Sequence, residues 1–262
     1  MSTLINYYKI HGYCLGTSHI PEEKYRRRLG TLLGRTRWIR GYTVGEYKAH
    51  RTAKSMGYKV AVGAWLGSDL SHNELELAGL TNEAKAGFVD MAIVGSETLF
   101  RKELRDAQLA QYILQFKKSM PNIPVAVCDI ADALLVSPFA LASATLIGAN
   151  IYPYWDGVSI DRSIAFLDKK YRELKRLAGK EVFISETGWP SGGNTIRKAV
   201  ASPENALRYF KEFIKWATEN NVRYFYFAPF DESWKKEFEH EQGGHWGRWY
   251  EDGTEKPWVN WK

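Results

Sequence analysis

Short strand-like runs alternate with helical patterns from one end of the chain to the other, and that alternation leaves few folds open. A chain that repeats strand and helix builds a parallel sheet whose strands are joined by crossover helices. The strand-like runs are Gly12 to Gly16, Arg37 to Tyr42, Tyr58 to Trp65, Val89 to Gly95, Ile123 to Cys128, Thr145 to Ile151, Glu181 to Ser185 and Val222 to Phe230. Helical patterns lie between them at Glu22 to Leu33, Gly45 to Met56, Leu75 to Gly87, Lys102 to Lys118 and Asp161 to Ala178, with a last helix from Ser202-Pro203 to about Asn220. In the Asp161 helix, Ile164, Leu167, Tyr171, Leu174 and Leu177 fall on one face, and Gly179 supplies the stop. Ala131 to Ala142 is broken by Pro138. Eight strand-helix units within 262 residues predict a (β/α)8 TIM barrel, an α/β fold in a single domain. No Pro/Ser/Gly-rich linker interrupts the chain, and its Trp-rich tail is expected to close the outside of the barrel.

Composition excludes several classes. Hydrophobic residues make up 45% of the chain, the proportion of an ordinary globular protein. No apolar run approaches the roughly 20 residues that span a bilayer, so no membrane insertion is expected. Met1 to Lys9 lacks the long apolar core of a secretory signal. Either the protein stays inside, or this is a mature or trimmed chain, or a domain cut from a larger one. The net charge of +6 is scattered over helices, as in Tyr25-Arg26-Arg27-Arg28 and Lys169-Lys170, and forms no basic stripe on a nucleic-acid module. Cys14 and Cys128 lie inside strands and read as small buried side chains. Neither C-x-x-C nor H-E-x-x-H spacing occurs, so no metal site is expected.

In a barrel of this kind the chemistry gathers at the C-terminal ends of the strands. Those ends carry Arg40 and Tyr42, Glu97, Asp129, Tyr152, Glu186 and Glu232. Asp129 has no role beyond lining the mouth. Glu97 closes the fourth strand and Glu186 the seventh, and barrel closure brings them face to face. Two carboxylates across a sugar-sized cleft are the equipment of glycoside hydrolysis: one holds a proton for the leaving oxygen, the other stays ionised. Aromatics make up 14% of the chain, with ten Trp, several of them in turns.

These segments resemble glycoside hydrolase family 17, the family of β-1,3-glucanases and β-1,3-glucanosyltransferases. Ser185-Glu186-Thr187-Gly188-Trp189-Pro190-Ser191 is similar to its E-T-G-W-P-S signature. Val94-Gly95-Ser96-Glu97, followed by Leu99-Phe100-Arg101, resembles its acid/base strand, usually V-G-N-E. Asn150-Ile151-Tyr152-Pro153-Tyr154-Trp155 resembles its sixth-strand segment. Phe230-Asp231-Glu232-Ser233-Trp234-Lys235 resembles F-D-E-x-W-K, and His245-Trp246-Gly247 its closing H-W-G.

The resemblance implies a retaining mechanism on β-1,3-linked glucan or gluco-oligosaccharides, by hydrolysis or by transglycosylation, with no cofactor. Glu186 would be the nucleophile and Glu97 the general acid/base, their carboxyl groups about 5–5.5 Å apart. Arg40 would keep Glu186 ionised, and Tyr152 would orient it. Glu232 and Lys235 match a polar pair beside the acid/base. Tyr42, Trp155, Trp189, Phe230 and Trp234 are expected as sugar platforms, with Tyr154 beside them in the binding segment. Ser96 departs from the usual Asn and offers one donor where Asn has two. It is expected to keep part of the contact to the sugar 2-hydroxyl. Leu15 is a second departure, where Tyr is frequent. Short inter-strand loops predict an open cleft. The family also implies an extracellular or cell-envelope setting, and a monomer is expected. Trp216, Trp258 and Trp261 are assigned to packing.

Overall fold

The structure, a computed structural model, describes residues 10–18 and 20–258. In chain order it runs β1 (Ile10–Cys14), α1 (Glu22–Leu32), β2 (Thr36–Arg40), α2 (Tyr47–Ser55), β3 (Lys59–Ala64), α3 (Leu70–Lys85), β4 (Met91–Ser96) and α4 (Asp106–Ser119). It continues with β5 (Val125–Ile130), α5 (Ala131–Leu135), α6 (Pro138–Ser143), β6 (Leu146–Asn150), α7 (Ser163–Ala178), β7 (Val182–Glu186), α8 (Pro203–Glu219) and β8 (Phe225–Tyr226). Every residue of β4, β6 and β7 is buried, as expected of parallel strands covered on both faces. The ladder runs β7-β6-β5-β4-β3-β2-β1-β8. The seam between β8 and β7 is held by one bridge, Ile184 with Tyr224, and by Phe227 N–H donating to the Thr187 carbonyl at 2.9 Å. The result is a nearly closed (β/α)8 barrel in a single domain.

Element ends differ from the sequence reading where a side chain decides them. α3 begins at Leu70 and not Leu75, because Asp69 caps the backbone N–H groups of Ser71 and His72. α4 begins at Asp106 and not Lys102. Lys102 is left-handed at φ 58°, and Gln108 Oε1, accepting from the Arg105 backbone N–H at 3.1 Å, starts the helix after it. The Ala131 to Ala142 segment splits into two short helices, with Pro138 opening the second. Ser202 caps α8 ahead of Pro203. On α7 the apolar face holds Leu167, Tyr171 and Leu174, whereas Leu177 is 55% exposed beyond the edge of the sheet.

β8 is far shorter than the expected Val222 to Phe230. Pro229 has no N–H to give, and the N–H groups of Ala228 and Asp231 leave the sheet for the carbonyls of Trp246 and Trp249. The tail therefore does more than cover the outside. Trp246 packs among Tyr152, Tyr154, Trp155 and Phe227 near the mouth. Buried Lys256 anchors the tail through Asp231 and Ser191, each at 2.8 Å. Cys14 and Cys128 are buried and unpaired. Trp216 packs on Tyr171 and Trp258 is half-buried against the core, while Trp261 lies outside the described residues. No helix among the described residues is long and apolar enough to cross a membrane.

Gly188 sits at the seam, where a Cβ would lie 2.0 Å from the Phe227 carbonyl oxygen. Gly188→Ala is expected to force β7 and β8 apart and destabilise the protein by about 1–3 kcal/mol. A lowered urea midpoint checks this, and an unchanged midpoint contradicts it.

Candidate active site

Four strand ends build the site. β7 ends on Glu186, whose buried carboxylate receives Arg40 Nη1 on Oε1 at 2.5 Å and the Tyr152 hydroxyl on Oε2 at 2.8 Å. Arg40 closes β2 and is 1% exposed. Its guanidinium also donates to the Ser185 carbonyl at 2.9 Å and to Ser96 Oγ at 2.9 Å, and lies 4.8 Å from the Tyr42 ring centroid. Burial, the largest single influence, works against the Arg40 charge, but the Glu186 carboxylate together with Tyr42, Cys14 and Cys128 outweighs it and raises the pKa well above its ordinary value. Tyr152 is pushed well above the ordinary phenol range by burial and then by the Glu186 charge, so it keeps its proton and donates.

β4 ends irregularly. Its register to β5 shifts between Ile93 and Ser96, Gly95 has φ 86°, and Glu97 has φ 55°. A glutamate in the left-handed region is strained, and such strain collects at functional sites. The kink turns Glu97 into the mouth, where Asn150 Nδ2 donates to its Oε1 at 2.8 Å. Asn150 Oδ1 in turn accepts from Ser185 Oγ at 2.6 Å, one residue before Glu186. Glu97 is raised to about 7, first by burial and next by the charge of Glu186, with the Asn150 amide pulling the other way. One carboxylate is thus matched by a cation and a phenol. The other shares its proton near neutrality.

Both carboxyl groups line a cavity of about 780 Å3. Tyr42, Ser96, Tyr152, Trp155, Trp234 and Lys235 line it too, while Arg40 sits beneath. Glu232 is not a lining residue. It holds Lys235 Nζ at 2.6 Å, and that ammonium lies 3.9 Å from the Phe227 ring centroid.

Three expected aromatic binding residues do not reach the cavity either. Trp189 is 1% exposed and packs between Tyr154 and Tyr209, its indole N–H on the Val200 carbonyl. Tyr154 is buried against Trp155, Trp189 and Trp246, with its hydroxyl on the Asn194 carbonyl. Phe230 packs on Trp249 and under Arg28. All three are packing residues. Their rings turn into the aromatic layer beneath the mouth, where burial of apolar area favours them.

Other groups were not foreseen. Asn150 lies inside the sixth-strand motif, and its contacts to Glu97 and Ser185 join strands that sequence spacing does not bring together. Trp65, Phe100, Phe227, Glu46 and Glu239 line the cavity. Trp65 ends a strand, so the strand-end rule would have found it. Asp129 lies beneath the mouth and not on it, accepting the N–H groups of Leu99, Phe100 and Ile130. No group of three or more His, Cys, Asp or Glu able to hold a metal ion occurs among the described residues.

Comparison with known proteins bears on this arrangement. The model of the BtgE/BtgC glycoside hydrolase domain matches residues 7–247. The chain belongs to that family. Its family 17 resemblance is borne out by the crystal structure of a glycoside hydrolase family 17 β-1,3-glucanosyltransferase from Rhizomucor miehei. That enzyme superposes with a TM-score of 0.88 at 27% identity, covering 96% of this chain and 97% of its own. The glucan 1,3-beta-glucosidase of Arthroderma benhamiae is 30% identical over 229 residues, 78% of this chain and 72% of that one. The probable glucan endo-1,3-beta-glucosidase btgC of Aspergillus fumigatus is 30% identical over 207 residues. That match takes in 68% of this chain but spans only 29% of the Aspergillus protein.

The electrostatics of the pair can be read directly. The Glu97 side chain is expected to titrate near 7 in a carboxyl-carbon NMR titration. Glu186→Gln removes a like charge and lowers that midpoint. Asn150→Ala removes a donor to the ionised form and raises it. A Glu97 midpoint in the ordinary carboxylate range, unmoved by either change, would contradict this account.

Proposed function

We propose that the protein is a retaining glycosidase acting on β-1,3-linked glucan. The observation that carries the proposal is the unequal treatment of two carboxyl groups in one cavity. Glu186 is paired with Arg40 and Tyr152, whereas Glu97 is raised to about 7. The β-1,3-glucan-acting relatives and the Rhizomucor transferase supply the substrate class.

Glu186 Oε attacks the anomeric carbon as the bond to the leaving oxygen breaks, and Glu97 gives that oxygen its proton. The product of this half is a glycosyl ester on Glu186. Glu97, now a carboxylate, takes a proton from water or from a sugar hydroxyl, whose oxygen displaces the ester and restores both groups. Arg40 and Tyr152 hold Glu186 in place and receive its charge back when the ester is cleaved. Ser96 Oγ already accepts from Arg40, so its own hydrogen is left to donate to a sugar hydroxyl. Tyr42, Trp155 and Trp234 offer ring faces to the pyranose, and Lys235 offers a cation beside them.

A second reading, transfer to another sugar in place of water, uses the same groups and is favoured by the likeness to the Rhizomucor transferase. A polymeric substrate supports an extracellular or cell-envelope setting.

A time course on a defined β-1,3-gluco-oligosaccharide tests both readings. Shorter products alone indicate hydrolysis, and longer ones indicate transfer. First-formed products should keep the β configuration by proton NMR. Glu97→Gln is expected to lower kcat by about 10²–10⁴-fold on substrates with poor leaving groups. The wild-type rate should fall as pH rises through about 7, because Glu97 then loses the proton it must donate. No turnover on any β-1,3-glucan, or an inverted product, would overturn the proposal. Ser96→Ala with an unchanged chemical step would remove Ser96 from it.

A further inference from the structure

Trp65 is an exposed indole that the fold holds still. It lies one residue past β3, is 38% exposed, and lines the cavity on the flank formed by the β3 and β4 loops. Three contacts fix it. Its backbone N–H donates to Glu76 Oε2 at 2.7 Å, and the buried Glu76 is itself held by Thr43 Oγ1 and Val44 N. The Arg101 guanidinium covers one ring face, 4.3 Å from the centroid. The next carbonyl, Leu66 O, accepts from Arg101 Nη2 at 3.2 Å and from Thr98 Oγ1 at 3.3 Å. Arg101 is locked in turn by Glu103 and by the Ser96 carbonyl, at 2.8 Å and 2.7 Å. Phe100 stands beside this group, 57% exposed and also lining the cavity, with its backbone N–H on Asp129.

An indole left half in water gains nothing for folding from its bare surface, yet here a cation and two carboxylates immobilise it and its loop. Such preorganisation removes the ordering cost that a partner would otherwise meet on binding. With one face taken by Arg101, the remaining exposed ring surface is flat and apolar, and it borders the cavity that holds the carboxyl pair. The pyranose C–H face of a glucosyl unit matches that surface. We propose that Trp65, backed by Arg101 and flanked by Phe100, binds a glucosyl unit away from the bond being broken and sets a preference for longer chains. The inference rests on the glucan-acting reading above. Arg101 is a positioning residue here, joining the platform to the β4 end through the Ser96 carbonyl.

The test compares kcat/KM for β-1,3-gluco-oligosaccharides of increasing length in the full chain, for wild type, Trp65→Ala, Trp65→Tyr and Phe100→Ala. Trp65→Ala is expected to lower the ratio of long-chain to short-chain kcat/KM by about tenfold, the weight of one good ring contact. The loss should fall on KM and not on kcat, since a remote contact binds ground state and transition state alike. Trp65→Tyr keeps a flat face and should recover most of the ratio. Phe100→Ala, at an exposed position that does not threaten folding, should lower it by a smaller factor. A ratio unchanged in Trp65→Ala, or an equal loss at every length, would overturn the inference. Calorimetric binding of a long oligosaccharide to Glu186→Gln, with and without Trp65→Ala, separates the two claims. Lost turnover in wild type with Trp65-dependent binding sinks the enzyme reading alone, and binding indifferent to Trp65 sinks the platform.

Discussion

The buried ion pair between Arg40 and Glu186 is the contact on which the rest of the site depends. Taking a guanidinium and a carboxylate out of water costs several kcal/mol per ion before their attraction offsets it. Only close geometry and filled hydrogen-bond capacity make the arrangement tolerable. Both conditions are met on the Glu186 side, where one oxygen faces Arg40 and the other faces the Tyr152 hydroxyl. Arg40 reaches three strands beyond its own: β7 through Ser185 and Glu186, β4 through Ser96, and β1 through Cys14 Sγ. It therefore ties the barrel interior together while it fixes a negative charge at the mouth. That charge is the second cause, after burial, of the raised Glu97. The asymmetry of the two carboxyl groups follows from the burial of Glu97 beside that charge and from the pairing of Glu186 with a cation.

The walls of the cleft are held in two different ways. On the β1 to β5 side, backbone N–H groups freed where strands end are taken up by carboxylates. Glu46 accepts from Thr17, Ser18 and Tyr42, Glu76 from Val44 and Trp65, and Asp129 from Leu99, Phe100 and Ile130. Each pins one loop to its neighbour and answers the rule that buried backbone donors find partners. On the β6 to β8 side the loops are held by ring packing, with Trp246 touching Tyr152, Tyr154, Trp155 and Phe227. The first wall is polar behind and sparsely aromatic in front. The second is mainly aromatic, with Lys235 and Glu239 among its rings, and several of those rings are buried in protein.

That division explains what the sequence made legible. Alternating elements announce a barrel because parallel strands buried on both faces leave a strong apolar signal. Strand ends then locate Arg40, Glu97, Tyr152 and Glu186 around a common mouth. The same rule fails for Trp189, Tyr154 and Phe230, because which way a ring turns is decided by neighbours distant in sequence, such as Tyr209 and Trp249. It is silent on Glu76 and sets Asp129 on the mouth, whereas the work of both is to accept N–H groups from loops on other strands. It misplaces the start of α4, since nothing local marks Glu97 and Lys102 as left-handed.

Ser96 and Asn150 show how one departure from a family pattern is absorbed. An asparagine before the acid would bring an amide from β4. The serine here brings one hydroxyl, whose oxygen accepts from the second nitrogen of the Arg40 fork and whose hydrogen is left to donate. The amide beside Glu97 comes from β6, through Asn150, which also grips Ser185 on β7. In the proposed mechanism Glu97 both gives and takes a proton near neutrality, which calls for a donor that steadies its ionised form without adding charge, and a neutral amide meets that need. A cation in the same place would hold Glu97 ionised and, in that mechanism, leave the leaving oxygen without its proton. The neutral amide on Glu97 and the guanidinium on Glu186 are therefore not interchangeable, and the division of labour between the two carboxyl groups depends on their staying where they are.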